Sequence, residues 1–176
     1  KLIDITSDDT FLAGVYYSRG DAFTGMQDWK SALKSYLKSY ELESDGSYAA
    51  KALKASYQTA LMPLNENNFE LAIIQFDSLI NVIPSGPLLT AAHYSKGDAF
   101  SELEEWKAAG KSYLESFKLE PDGKYAAKAL MNVGISLGKM QKINEACNIL
   151  NRVEARFPRN QIVEEAQYEM QILGCS

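Results

Sequence analysis

The chain is poor in reactive side chains. It has one histidine, His93, and two cysteines, Cys147 and Cys175. There is no HExxH pair, no CxxC, no serine nucleophile elbow and no phosphate-binding glycine loop. These absences leave no residue set that reads as catalytic, so the chain is not expected to be an enzyme and no cofactor or metal is expected. His93 falls within an apolar helical pattern and reads as a packing residue. No apolar run approaches the roughly 20 residues needed to span a bilayer, so no direct membrane span is expected. Cationic runs are missing too. The net charge is −5 with a pI of about 5.0, which opposes long-range attraction to nucleic acid. No signal peptide is read, and because the chain begins at Lys1 rather than Met an upstream segment is expected to have been removed.

What the chain does have is a repeat. Tyr17 to Leu53 recurs without a gap at Tyr94 to Leu130, an offset of 77 residues (94 − 17). A small residue, then Ala, then a bulky residue, then a helix stop recurs four times: Gly20, Ala32, Tyr36, Ser44; Ala60, Ala72, Phe76, Pro84; Gly97, Ala109, Tyr113, Pro121; Gly134, Ala146, Leu150, Pro158. Small residues let paired helices approach, and the predicted contact is glycine against alanine: Gly20 on Ala32, Gly97 on Ala109, Gly134 on Ala146. Between these marks apolar residues recur at spacings of three and four, as in Trp29, Ala32, Leu33, Tyr36, Leu37 and Tyr40. No stretch alternates as a half-buried strand would. Four helical hairpins are predicted, at about 11–46, 47–86, 87–123 and 124–160, within one repeat domain spanning 1–176.

A capping helix is predicted over 161–173, with Ile162, Ala166, Met170 and Leu173 on one face. No N-terminal cap helix is read in Lys1 to Phe11. Pro63 is expected either to end or to kink its helix. The pair Gly134 and Gly138 reads as helix packing rather than as part of a nucleotide fingerprint.

Stacked hairpins expose one face of their first helices. Positions three before, one after and four after each small residue are predicted to line a concave groove: Tyr17, Asp21 and Thr24; Tyr57, Leu61 and Leu64; Tyr94, Asp98 and Ser101; Met131, Ile135 and Gly138. Three tyrosines at equivalent places suit a binding surface, and Asp21 and Asp98 add negative charge. The expected ligand is a protein or peptide with apolar and basic side chains. The same tyrosines also suit a filling role between hairpins, and both readings stand at this stage. Tyr48 and Tyr125 read as packing residues. Cys147 and Cys175 lie on neighbouring antiparallel segments where a disulfide is geometrically feasible; two separate buried thiols are the alternative.

Glycine, aromatic, alanine, aromatic and proline at these spacings resemble the tetratricopeptide repeat. The resemblance implies an all-α, right-handed superhelix of four hairpins plus the cap, built for binding. Within that class, YQTALMPLNENNFELAIIQFDSLI, AAHYSKGDAF, AAKALMNVGISLGKMQKINEAC and RFPRNQIVEEAQYEMQILGC resemble the C-terminal domain of the CpoB (YbgF) family of periplasmic proteins. The resemblance covers Tyr57 to Cys175; residues 1–56 depart from it, holding a repeat unit where relatives place a coiled coil. It implies a periplasmic scaffold linking Tol-Pal to peptidoglycan synthesis during division, and pairing of Cys147 with Cys175. Another system using the same repeat, such as a BamD-like outer-membrane assembly component or a cytosolic adaptor, is the alternative. A homo-oligomer is also left open.

Overall fold

The computed structural model describes residues 5–175. Among these residues there is no strand. The helices are α1 (Ile5–Gly25), α2 (Trp29–Leu42), α3 (Ala49–Asn65), α4 (Phe69–Ile80), α5 (Pro87–Glu102), α6 (Trp106–Leu119), α7 (Ala126–Lys139), α8 (Ile143–Arg156) and α9 (Ile162–Leu173). They form four hairpins, α1/α2, α3/α4, α5/α6 and α7/α8, followed by the single helix α9. The chain divides into two compact units, Lys1–Pro84 and Ser85–Ser176. In the first, α2 packs against α1 and α3, and α3 against α4. In the second, α6 packs against α5 and α7, α8 against α7, and α9 against both α7 and α8.

Every hairpin turns by the same device. Gln27, Asn67, Glu104 and Gln141 have φ of 59°, 59°, 58° and 61°, the left-handed region that costs a side-chain-bearing residue free energy. Each is followed by an amide that reaches back five residues: Asp28 N–H to the Phe23 carbonyl at 3.0 Å, Asn68 to Pro63 at 2.8 Å, Glu105 to Phe100 at 2.9 Å and Lys142 to Leu137 at 3.0 Å. This is the Schellman closure, which satisfies carbonyls that the helix end would otherwise strand. In two turns the next residue caps the second helix: Asp28 accepts from the Ser31 amide at 3.1 Å and Asn68 from the Leu71 amide at 3.3 Å.

Pro63 neither breaks nor displaces its helix. It sits buried two residues before the end of α3, where the missing donor removes one bond just before the helix stops at Asn65. The described part of the N-terminal segment, from Ile5, continues as the first turns of α1 rather than as a separate cap; residues 1–4 of that prediction lie outside the described residues.

The glycine–alanine contact is corrected in its main partner: a Cβ on Gly134 would lie 3.5 Å from the Ala146 carbonyl oxygen, but a bulkier side chain stands closer at each glycine. The three alanines are fully buried, but the glycines face the bulky residue four positions beyond each alanine. A Cβ on Gly97 would meet the Tyr113 ring at 2.6 Å, one on Gly134 would meet Leu150 at 2.7 Å, and one on Gly20 would run into Tyr36. A flat ring laid over a bare Cα needs the missing side chain more than an alanine methyl does. Gly138 is buried under Leu173 of α9, which a Cβ there would meet at 3.0 Å, so the pair Gly134 and Gly138 serves helix packing and Gly138 is not a groove position.

One pair of ties repeats at the 77-residue offset. The buried Ser39 hydroxyl donates to the Ala13 carbonyl at 2.7 Å, and the buried Ser116 hydroxyl to the Thr90 carbonyl at 3.0 Å. Each joins the second helix of its hairpin to the backbone of the first. In the second unit a core of Leu130, Met131, Val133, Leu150 and Val153 also takes in Ala166, with Ile162, Met170 and Leu173 of α9 packed against it. Cys147 and Cys175 are bonded, with Cα atoms 5.6 Å apart, and this bond pins the end of α9 to α8.

Candidate functional site

The predicted groove positions fall into two groups, those drawn into the hairpins and those left accessible. In the first unit Tyr17 is half-buried, its ring centroid 5.4 Å from Tyr36 and 5.8 Å from Tyr48. The Tyr36 hydroxyl donates to Asp21 at 2.7 Å, so Thr24, 3.1 Å away, donates to Tyr36 in turn. Burial, opposed in part by the Thr24 bond, pushes the Tyr36 hydroxyl up to about 12. Asp21 is exposed. Tyr57 is half-buried, 6.2 Å from Phe76, and Leu61 and Leu64 are half-buried beside it on α3.

The second unit holds the same set 77 residues on, packed more deeply. Tyr94 is 6% exposed. It stacks on Tyr125 at 4.9 Å, lies 5.4 Å from Tyr113, and accepts from the Asn132 amide at 3.2 Å. Tyr94 is therefore a packing residue and not part of a ligand-facing ladder: Tyr125 arrives from the next hairpin and covers it. Met131, 4% exposed, is likewise drawn into the core. The Tyr113 hydroxyl donates to Asp98 at 2.8 Å. Burial raises Asp98 to about 6, although the Tyr113 bond and the Lys128 charge pull the other way. Burial, then the Asp98 charge, pushes both Tyr94 and Tyr113 well above the ordinary phenol range. Ser101 is half-buried at the end of α5.

What stays open in this unit is the edge between α7 and α9. The Met131 and Ile135 side chains of α7, with Glu164, Glu165, Tyr168 and Glu169 of α9, bound a cavity of about 340 Å³. Tyr168 is 63% exposed. The floor is apolar and the rim carries three carboxylates. Positions counted on four first helices do not reach the α9 contribution, because the sequence presents α9 only as a cap. Tyr168 was the available signal: it is a large aromatic on the side otherwise given to Glu and Gln. Among the described residues no cluster of three or more His, Cys, Asp or Glu is placed to hold a metal, and no helix is long and apolar enough to cross a membrane.

No protein-family model matches the sequence, and no curated protein matches it. Solved structures do. The apo form of RapI superposes with a TM-score of 0.67 at 14% identity, over 96% of this chain and 50% of RapI. YrrB, a TPR protein with an unusual peptide-binding site, gives 0.60 at 18%, over 90% of this chain and 74% of YrrB. MamA from Desulfovibrio magneticus RS-1, residues 41 to its end, gives 0.58 at 14%, over 92% of this chain and 87% of MamA. The fold is of the tetratricopeptide type. This chain spans half the length of RapI, and at these identities the likeness concerns architecture.

Proposed function

We propose that the chain is a non-enzymatic protein-interaction scaffold that takes a peptide segment with apolar and basic side chains. The observation that carries this is the apolar cavity between α7 and α9, rimmed by Glu164, Glu165 and Glu169. An apolar anchor would enter beside Ile135 and Tyr168 while cationic side chains meet the rim. YrrB, which shares the fold, has a peptide-binding site, and this supports a peptide as ligand. Within the first unit, Tyr17, Asp21, Tyr57 and Leu61 are proposed as a contact face of their own.

For the setting, the proposal is the bacterial periplasm and a CpoB-like role joining Tol-Pal to peptidoglycan synthesis during division. The resemblance over Tyr57 to Cys175 supports it. So does the Cys147–Cys175 bond, since disulfides persist in oxidising compartments.

The test is calorimetric titration of the purified chain with periplasmic domains of the Tol-Pal proteins. The wild-type chain should bind at least one of them, and a Glu165→Lys/Glu169→Lys variant should bind at least about tenfold more weakly, the loss expected when two rim charges are reversed. Full affinity in that variant would reject the α7/α9 surface. Failure to bind any Tol-Pal component, with normal constriction in cells lacking the protein, would reject the envelope role.

A further inference from the structure

A sizeable cavity of the first unit lies away from the predicted groove, on the side formed by the second helices. It measures about 700 Å³ and sits between α2 and α4, with Tyr16 and Arg19 of α1 at its edge. Two features set it apart.

The first is charge. In a chain of net charge −5, the lining holds Arg19, Lys30, Lys34 and Lys38 against the single carboxylate of Glu41. Only Lys38 is paired with that carboxylate, at 3.3 Å. Lys30, Lys34 and Lys38 stand at i, i+4 and i+8 along α2, so they form one row on one helix face. Like charges in such a row destabilise an isolated helix; among the described residues neither Lys30 nor Lys34 forms an ion pair, and the exposed Asp28 offsets only part of the Lys30 charge from the turn before α2.

The second is Gln75. It lines the cavity from α4, is 2% exposed, and neither its amide nitrogen nor its amide oxygen has a hydrogen-bond partner. An unpaired buried amide is costly, and native structures hold few of them. One Gln side chain offers a donor and an acceptor together. A carboxylate alone would satisfy the donor and leave the oxygen stranded. A peptide group, with its own carbonyl and N–H, satisfies both. Ile74, 59% exposed, stands beside Gln75 and gives an apolar side chain something to cover, with Leu33, Leu37 and Leu71 behind it.

We infer that this cavity is a second binding site, distinct from the α7/α9 surface, which takes an extended acidic peptide carrying an apolar residue. The peptide backbone pairs with the Gln75 amide. Its apolar side chain rests on Ile74 and Leu71, and its carboxylates meet Lys30 and Lys34. A second copy of this chain docking through α9 would supply carboxylates, but a helix already uses its own backbone groups and would leave Gln75 unsatisfied.

The test uses the full chain and a fluorescein-labelled eight-residue peptide of alternating Glu and Leu, read by anisotropy at low and moderate salt. A Lys/Leu peptide of the same length serves as control. The expected results are saturable binding of the Glu/Leu probe, weakened by salt, and no binding of the Lys/Leu probe. Lys30→Glu/Lys34→Glu should lose at least about tenfold in affinity. Gln75→Leu should weaken binding while raising the urea midpoint, because it removes an unsatisfied buried amide; a purely structural glutamine would not separate those two readouts. Glu165→Lys/Glu169→Lys should leave the probe's affinity unchanged. Equal binding of both peptides, full affinity in the Lys30/Lys34 variant, or concentration-dependent dimerisation without probe binding would each overturn the assignment.

Discussion

Asp98 and Asp21 occupy the same place in two copies of one sequence, and each accepts a hydrogen bond from the tyrosine fifteen residues on, Tyr113 or Tyr36. The second copy has closed more tightly around its acid. With a folded value of about 6 against roughly 3.9 for an unfolded aspartate, the native state binds more protons than the unfolded state between those limits. Stability therefore falls as pH rises through that window, and the buried charge is destabilising at neutral pH by about 2–3 kcal/mol. Asp98→Asn keeps an acceptor for Tyr113 and removes the charge. Urea denaturation at pH 5 and pH 7.5 should show the wild type less stable at the higher pH and the variant nearly indifferent. A different outcome is expected at Gly97. Gly97→Ala drives a methyl into the Tyr113 ring, 2.6 Å away, and should destabilise by about 1–3 kcal/mol, visible as a lower melting temperature.

At the scale of elements, the helices were legible and the turns were not. Apolar residues three and four apart, with proline or Ser-Asp-Gly beyond, locate all four hairpins because a helix declares itself over a dozen positions. The left-handed residues carry no such mark. Gln27, Asn67, Glu104 and Gln141 are not glycines, and the closure around them is made of backbone groups that no side chain announces. Ser39 and Ser116 were hidden for a related reason: a small polar residue inside an apolar face looks like an interruption until its carbonyl partner is seen. Glu104→Gly should relieve the left-handed penalty and stabilise the chain by about 1 kcal/mol, read as a raised urea midpoint. The bond between Cys147 and Cys175 closes a separation of 28 residues. Replacing both with serine should lower stability by about 3–4 kcal/mol in the chain-entropy estimate, with the fastest amide exchange appearing in α9.

For the molecule as a whole, the duplication predicted the building blocks well and the exposure of individual groove positions less well. Helix geometry placed Tyr17, Tyr57 and Tyr94 on equivalent faces, but it cannot tell whether a face meets solvent or the next hairpin. Tyr125 decides that for Tyr94, and its arrival is a tertiary event. The α7/α9 cavity was missed because the count stopped at the fourth hairpin. Since the second unit contains its own core, running from Tyr94 to Leu173, and its own disulfide, residues 85–176 expressed alone should fold. Far-ultraviolet circular dichroism and a single cooperative melt would show it; a featureless, non-cooperative trace would mean that this unit depends on residues 1–84. The recurring bend within each hairpin has a further implication for how such chains diversify. Because main-chain atoms make the joint, recombination at Gln27 and Glu104 would swap whole arms between copies without disturbing the connector, and the neighbouring surface would be free to drift toward new ligands.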